Sequence, residues 1–71
     1  MAKKKETGRF KPQRLLALRR QRGLSLRQFA AKIRRTGSMV QLMESWRIEP
    51  SMETLQRIAD VFDVDAKEFL T

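Results

Sequence analysis

Residues 33–46 read IRRTGSMVQLMESW, with Arg34 and Arg35 ahead of a Thr-Gly-Ser turn and Arg47 just behind. An arginine head group is planar, permanently charged and carries five N–H donors, so it suits phosphate oxygens. Between these cations, Ser38 and Gln41 can exchange hydrogen bonds with a polar edge, and Leu42 can meet a methyl group. The chemistry such a set can do is recognition of a polyanion, not bond breaking. The chain has no cysteine and no histidine. That excludes thiolate metal sites, Cys or His nucleophiles and the usual imidazole base. Glu49 and Glu53, or Asp63 and Asp65, are carboxylate pairs by number only and suit helix ends and caps on a solvated face. We expect neither an enzyme nor a cofactor.

Charge placement sharpens the choice of partner. The formal net charge is +8 over 71 residues. Residues 1–11 carry five Lys/Arg against one acid, residues 12–48 nine against one, and residues 49–71 two against six. A basic side facing a polyanion, with an acidic end turned away, fits this asymmetry. No apolar run reaches the roughly 18 residues of a membrane helix, and no cleavable leader follows the basic start. No membrane partner is expected, and the expected location is the cytoplasm of a prokaryote, or the nucleoid in the case of a phage protein.

The cations must be held by a small all-α body. MAKKKETGRFK, residues 1–11, has three consecutive lysines and one large apolar residue, so it reads as a flexible basic arm whose Lys3, Lys4 and Lys5 are available to phosphates. The remaining chain, 12–71, is one domain. Pro12 suits a first helical turn, and Gly23 closes the helix behind it. Ser25 caps a second helix, about 26–33, with Leu26, Phe29, Ala30 and Ile33 on its buried stripe. Thr36 caps a third, about 37–45. Ser51 caps METLQRIADVF, whose Leu55, Ile58, Ala59 and Phe62 face inward. Asp65 and Glu68 have the spacing of a capping box opening a short fifth helix that brings Phe69 and Leu70 to the core.

On a helical wheel with Met39 at zero, Leu42, Trp46, Met39, Met43 and Val40 span about −60° to 100°, whereas Glu44, Gly37, Gln41, Ser45 and Ser38 fill about 140° to 260°. Trp46 has two readings: a cover folded over Met39 and the core, or an exposed contact for another protein.

Two short helices joined by a tight turn inside a basic domain read as a helix-turn-helix. LRRQRGLSLRQFAAKI, then VQLME, then EPSMETLQRIADVFDVDAKEFL resembles the Cro and phage-repressor type of helix-turn-helix domain, also called the xenobiotic-response-element family. The resemblance covers about residues 12–71. It implies a compact five-helix, lambda-repressor-like DNA-binding fold with the motif at helices two and three. Ala30, Val40 and Met43 are then core residues that fix the angle of the third helix, and Glu44 pairs with an arginine of the first, Arg14 or Arg19. This chain departs from the family pattern at three places: the family usually has Gly where Arg34 stands, an apolar residue at Arg35, and Gly at Trp46. Gly37 is expected to restore some freedom to the turn.

The resemblance also implies that Gly37, Ser38, Gln41 and Leu42 face DNA bases and that Arg27 grips the backbone. With Arg34, Arg35 and Arg47 on phosphates, the expected function is a sequence-specific double-stranded DNA-binding transcriptional regulator. It would be a repressor, reading the major groove with helix three and binding as a homodimer. The competing expectation keeps the fold but uses the Met39, Leu42 and Trp46 face for a protein partner, as an interaction module or an antitoxin-like accessory regulator.

Overall fold

A computed structural model describes residues 9–70. Four α-helices follow one another: α1 (Pro12–Gln21), α2 (Leu26–Lys32), α3 (Gly37–Glu44) and α4 (Met52–Phe62). A 3-10 turn, Ala66–Phe69, stands where a fifth helix was expected. Only four residues lie between the Asp65 cap and Leu70, which turns extended to make a bridge with Phe10, so there is no length for an α-helical hydrogen-bond ladder.

Three of the four α-helices begin where a capping side chain stands ready. Ser25, Thr36 and Ser51 accept hydrogen bonds from the backbone N–H groups of Gln28, Met39 and Thr54 respectively. Each satisfies one amide that has no partner inside its helix. Around Ser25 the box is reciprocal, because Gln28 Oε1 accepts from the Ser25 N–H at 2.8 Å. At Asp65 it is not: Asp65 accepts from the Lys67 N–H, and Glu68 turns away to Arg14 at 3.1 Å. Pro12 sits at the start of α1 as its missing N–H allows. Gly23, with φ of 69°, closes α1 in the left-handed region.

The core is apolar and aromatic. Leu15 and Leu18 of α1, Phe29, Ala30 and Ile33 of α2 and its exit, Val40 and Met43 of α3, and Leu55, Ile58, Ala59 and Phe62 of α4 are all buried. Phe29 stacks on Phe62 with ring centroids 5.2 Å apart, and Phe69 tilts against Phe62 at 6.4 Å. Such pairs add about 0.5–1.5 kcal/mol beyond the area they bury. Arg22 spreads its guanidinium over the Phe62 ring and donates to the Phe62 carbonyl at 2.9 Å, tying the end of α1 to the end of α4.

Phe10 and Lys11 belong to this folded body. Phe10 is buried, and the Lys11 N–H donates to the Phe69 carbonyl at 2.7 Å. The apolar ring that looked isolated in a lysine-rich segment therefore has a place in the core. Residues 1–8 of the expected arm, including Lys3, Lys4 and Lys5, lie outside the described residues. Among the described residues, no helix is long and apolar enough to cross a membrane.

Candidate nucleic-acid interface

Helices α2 and α3 pack on each other more closely than any other pair in the fold. Ala30, buried and with a side chain that ends at Cβ, suits such close packing. Val40 and Met43 press α3 inward, which fixes the rotation of the helix about its own axis. The opposite side must then face outward. Ser38, Gln41, Leu42 and Ser45 are exposed, Leu42 to 39%. Among the described residues, the side chains of Ser38 and Gln41 have no protein hydrogen-bond partner, so their polar atoms are free for a ligand.

Gly37 stands at the opening of α3, half-buried against the start of α2. A Cβ added there would lie 3.8 Å from the Arg27 backbone nitrogen, an ordinary contact distance. Its backbone is right-handed helical, so it does not relieve the turn as expected. That task falls to Arg34, which adopts φ of 60° itself. A non-glycine residue in the left-handed region costs about 1–2 kcal/mol. The family's glycine at this place has a plain reason, and the chain keeps the turn without it. Helix α2 ends at Lys32 and does not run on.

The cations divide into two kinds. Arg27, Arg34 and Arg47 are exposed, at the start of α2, in the turn and just past α3. Arg35 is half-buried: its Nη2 donates to Thr54 Oγ1 at 2.9 Å and its Nη1 to the Arg34 carbonyl at 3.0 Å. Nothing in the sequence announced this link across 19 positions, since Thr54 looks like one more polar residue in the first turn of α4. Arg57 is another strap, joined to Glu53 at 2.7 Å and to the Ile33 carbonyl at 3.3 Å, where it satisfies the end of α2.

At the far end of α3, Glu44 receives Arg19 in a two-pronged pair, Nε to Oε2 at 2.7 Å and Nη2 to Oε1 at 3.0 Å. Arg19 also donates to the Leu24 carbonyl at 2.9 Å. Of the two arginines that the resemblance left open, Arg19 is the partner, and Arg14 instead meets Glu68. The hydrogen bond that Arg19 donates to Glu44 is the main cause that holds the guanidinium above its ordinary arginine value, against an opposing cost of burial. An acid at the end of α3 is thus neutralised within the protein and presents no net repulsion to a phosphate backbone.

Trp46 does not fold over Met39. It follows α3 with φ of 66°, a left-handed position the family usually gives to glycine, and the residue is 61% exposed. Met39 packs against the core without it. The sharp reversal of the chain, in which the Arg47 and Ile48 N–H groups both point to the Leu42 carbonyl, carries the ring outward. Among the described residues, the large apolar side chains left exposed are Leu42, Trp46 and Met52.

Two dips in the surface, one of about 490 Å³ lined by Leu24, Gln28, Ala31 and Lys32 and one of about 370 Å³ lined by Lys32, Arg34, Arg57, Asp60 and Val61, are open to solvent. Among the described residues, no cluster of acids could hold a metal ion. The candidate site is therefore the exposed side of α3, with the exposed Arg27 and Arg34 ahead of it in the chain and Arg47 just behind.

Comparison with known proteins agrees with this geometry. A search of curated proteins finds no match. The sequence model described as helix-turn-helix, of the Cro and phage-repressor type, matches residues 15–69, from Leu15 in α1 to Phe69 in the 3-10 turn. The stretch takes in the paired helices, the Arg19–Glu44 bond and the exposed face of α3, and this chain belongs to that helix-turn-helix family of DNA-binding regulators.

Proposed function

We propose that the protein is a transcriptional repressor that reads the major groove of double-stranded DNA with α3. One observation carries the reading: Val40 and Met43 are buried while Ser38 and Gln41, on the other side of the same helix, are exposed and unpartnered by any described residue. Gln41 can pair with adenine N6 and N7, Ser38 can reach most base edges, and Leu42 can meet a thymine methyl group. Gly37, with no side chain, lets the opening of α3 come close. Arg27, Arg34 and Arg47 hold phosphates around it, and Lys3, Lys4 and Lys5 extend that contact from the arm. With no arginine inside α3 to fork onto guanine, phosphate contact supplies most of the affinity.

A domain of this size makes few base contacts, so two copies act together on half-sites about 34 Å apart. The bare Trp46 side chain, beyond the end of α3, favours its surroundings as the surface for the second copy. Repression follows by occlusion of the bound duplex.

The exposed Trp46 also favours a second reading, in which the same fold serves mainly as a docking module for another protein. Salt separates the two. Neutralising six or more phosphates lowers affinity about a thousandfold or more between about 50 and 200 mM salt. An apolar protein contact changes little over that range. A shallow salt response with mixed-sequence duplex would contradict the DNA reading.

A further inference from the structure

The turn between α2 and α3 contains an arginine that does not face solvent as its neighbours do. Arg35 lies one residue before the Thr36 cap that opens α3. Its guanidinium reaches across to α4 and donates to Thr54 Oγ1 at 2.9 Å, while a second N–H closes on the Arg34 carbonyl at 3.0 Å. Thr54 is 3% exposed. The same oxygen accepts from Ser51 Oγ at 3.1 Å, and Ser51 is the residue that caps α4. Turn, guanidinium, buried hydroxyl and helix cap thus form one continuous chain of hydrogen bonds. Helix α3 itself rests chiefly on α2 and to a lesser extent on α1, so this chain is a named polar tie between its entry and α4.

We propose that Arg35 is a positioning residue for DNA reading: it fixes the direction in which α3 leaves the turn by anchoring the turn to Thr54, and it does not hold a phosphate. The assignment rests on α3 being the reading helix. Geometry separates Arg35 from the other cations. Two of its five N–H donors are held by protein acceptors, one of them inside the protein, which restrains the head group, whereas Arg27, Arg34 and Arg47 are exposed. A plug of this kind also answers the local strain. With Arg34 in the left-handed region and no apolar side chain at position 35, the turn is tied to α4 by two guanidinium groups, Arg35 on the Thr54 hydroxyl and Arg57 on the Ile33 carbonyl. A planar head group with fixed donors anchors direction as well as distance.

A double-mutant cycle tests it, with Arg35→Met and Thr54→Val, each alone and together. The probes are a duplex enriched by the unmodified protein from a random pool and a mixed-sequence duplex of equal length, titrated over a range of salt. A positioning role requires that either substitution lower affinity for the enriched duplex by about tenfold, and that the double variant be no worse than the weaker single one. The mixed-sequence duplex should bind as before, and the slope of log affinity against log salt should not change. Thr54→Ser, which keeps the hydroxyl, should retain the affinity of the unmodified protein. The opposite pattern overturns the proposal: Arg35→Met lowers the slope by about 0.9 on both duplexes, as loss of one phosphate contact does, or Thr54→Val leaves the enriched duplex bound as tightly as before. Should Thr54→Val fail to fold, the slope and the ratio of the two affinities for Arg35→Met decide alone. An unmodified protein that enriches no sequence overturns the reading of α3 itself, and this assignment with it.

Discussion

Arg19 Nε lies 2.7 Å from Glu44 Oε2, with the two side chains only 12% and 9% exposed. The pair joins the last turn of α1 to the last residue of α3, so it fixes the end of α3 as Val40 and Met43 fix its rotation. Its worth is not that of a surface ion pair, about 0–1 kcal/mol. Glu44→Ala would leave the guanidinium with the Leu24 carbonyl alone, and we expect a loss of about 3 kcal/mol. In a domain of this size, at about 4–8 °C per kcal/mol, thermal unfolding should show the midpoint fall by more than about 10 °C. A drop of a degree or two would mean the pair is only decorative. Because Glu44 raises the folded-state value for Arg19, the proton-linked part of this stability is complete below the ordinary arginine range. It is lost only as pH rises through the raised value, so it is constant at any pH suited to DNA binding.

Arg34 and Trp46 hold left-handed backbone at φ of 60° and 66° with side chains that gain little from burial. Arg34→Gly and Trp46→Gly should each stabilise the fold, by about 0.5–1 kcal/mol once the greater freedom of glycine in the unfolded chain is set against the strain removed. Urea unfolding checks this as a higher midpoint at unchanged slope. For Arg34→Gly the DNA result should run the other way, with the salt slope reduced by about 0.9. A fall in stability at both positions would refute the account of the strain.

Gly37 separates stability from recognition. Space exists for a methyl group beside the Arg27 backbone, and alanine is the better helix former, so Gly37→Ala should raise stability by up to about 1 kcal/mol. If the opening of α3 lies against base edges, the same methyl group intrudes there, and DNA affinity should drop. Thermal melts and a binding titration on one preparation give both answers. Unchanged affinity would move the bases away from this end of the helix.

Phe10 is part of the core, 4% exposed beside the Phe69 and Leu70 backbone. Phe10→Ala should cost about 3–4 kcal/mol, which chemical denaturation would register as a large fall in midpoint. A neutral substitution would return Phe10 to the arm.

Local signals account for what the sequence made legible. Ser25, Thr36 and Ser51 cap helices because a short hydroxyl next to an apolar stripe can do little else so well, and the stripes of α2 and α4 follow from spacing alone. The buried pair Val40 and Met43 was readable for the same reason, and with it the outward side of α3. Contacts between distant residues were not readable. Nothing local to Arg35 selects Thr54, and a wheel drawn through Trp46 assumed a helix that has already ended at Glu44. Phe10 misled in the other direction, since one aromatic ring among lysines gives no period from which to infer a core. The family's glycines at the Arg34 and Trp46 positions marked both left-handed turns, although this chain fills them with large side chains.

Selection of bound sequences from a random duplex pool tests the role of α3 most directly, carried out with the unmodified protein and with Ser38→Ala and Gln41→Ala combined. Both side chains are exposed, so the double change should leave folding intact. The unmodified protein should enrich a defined site, and the double variant should lose or shift it while still binding DNA through its arginines. An identical enriched site from both proteins would contradict it.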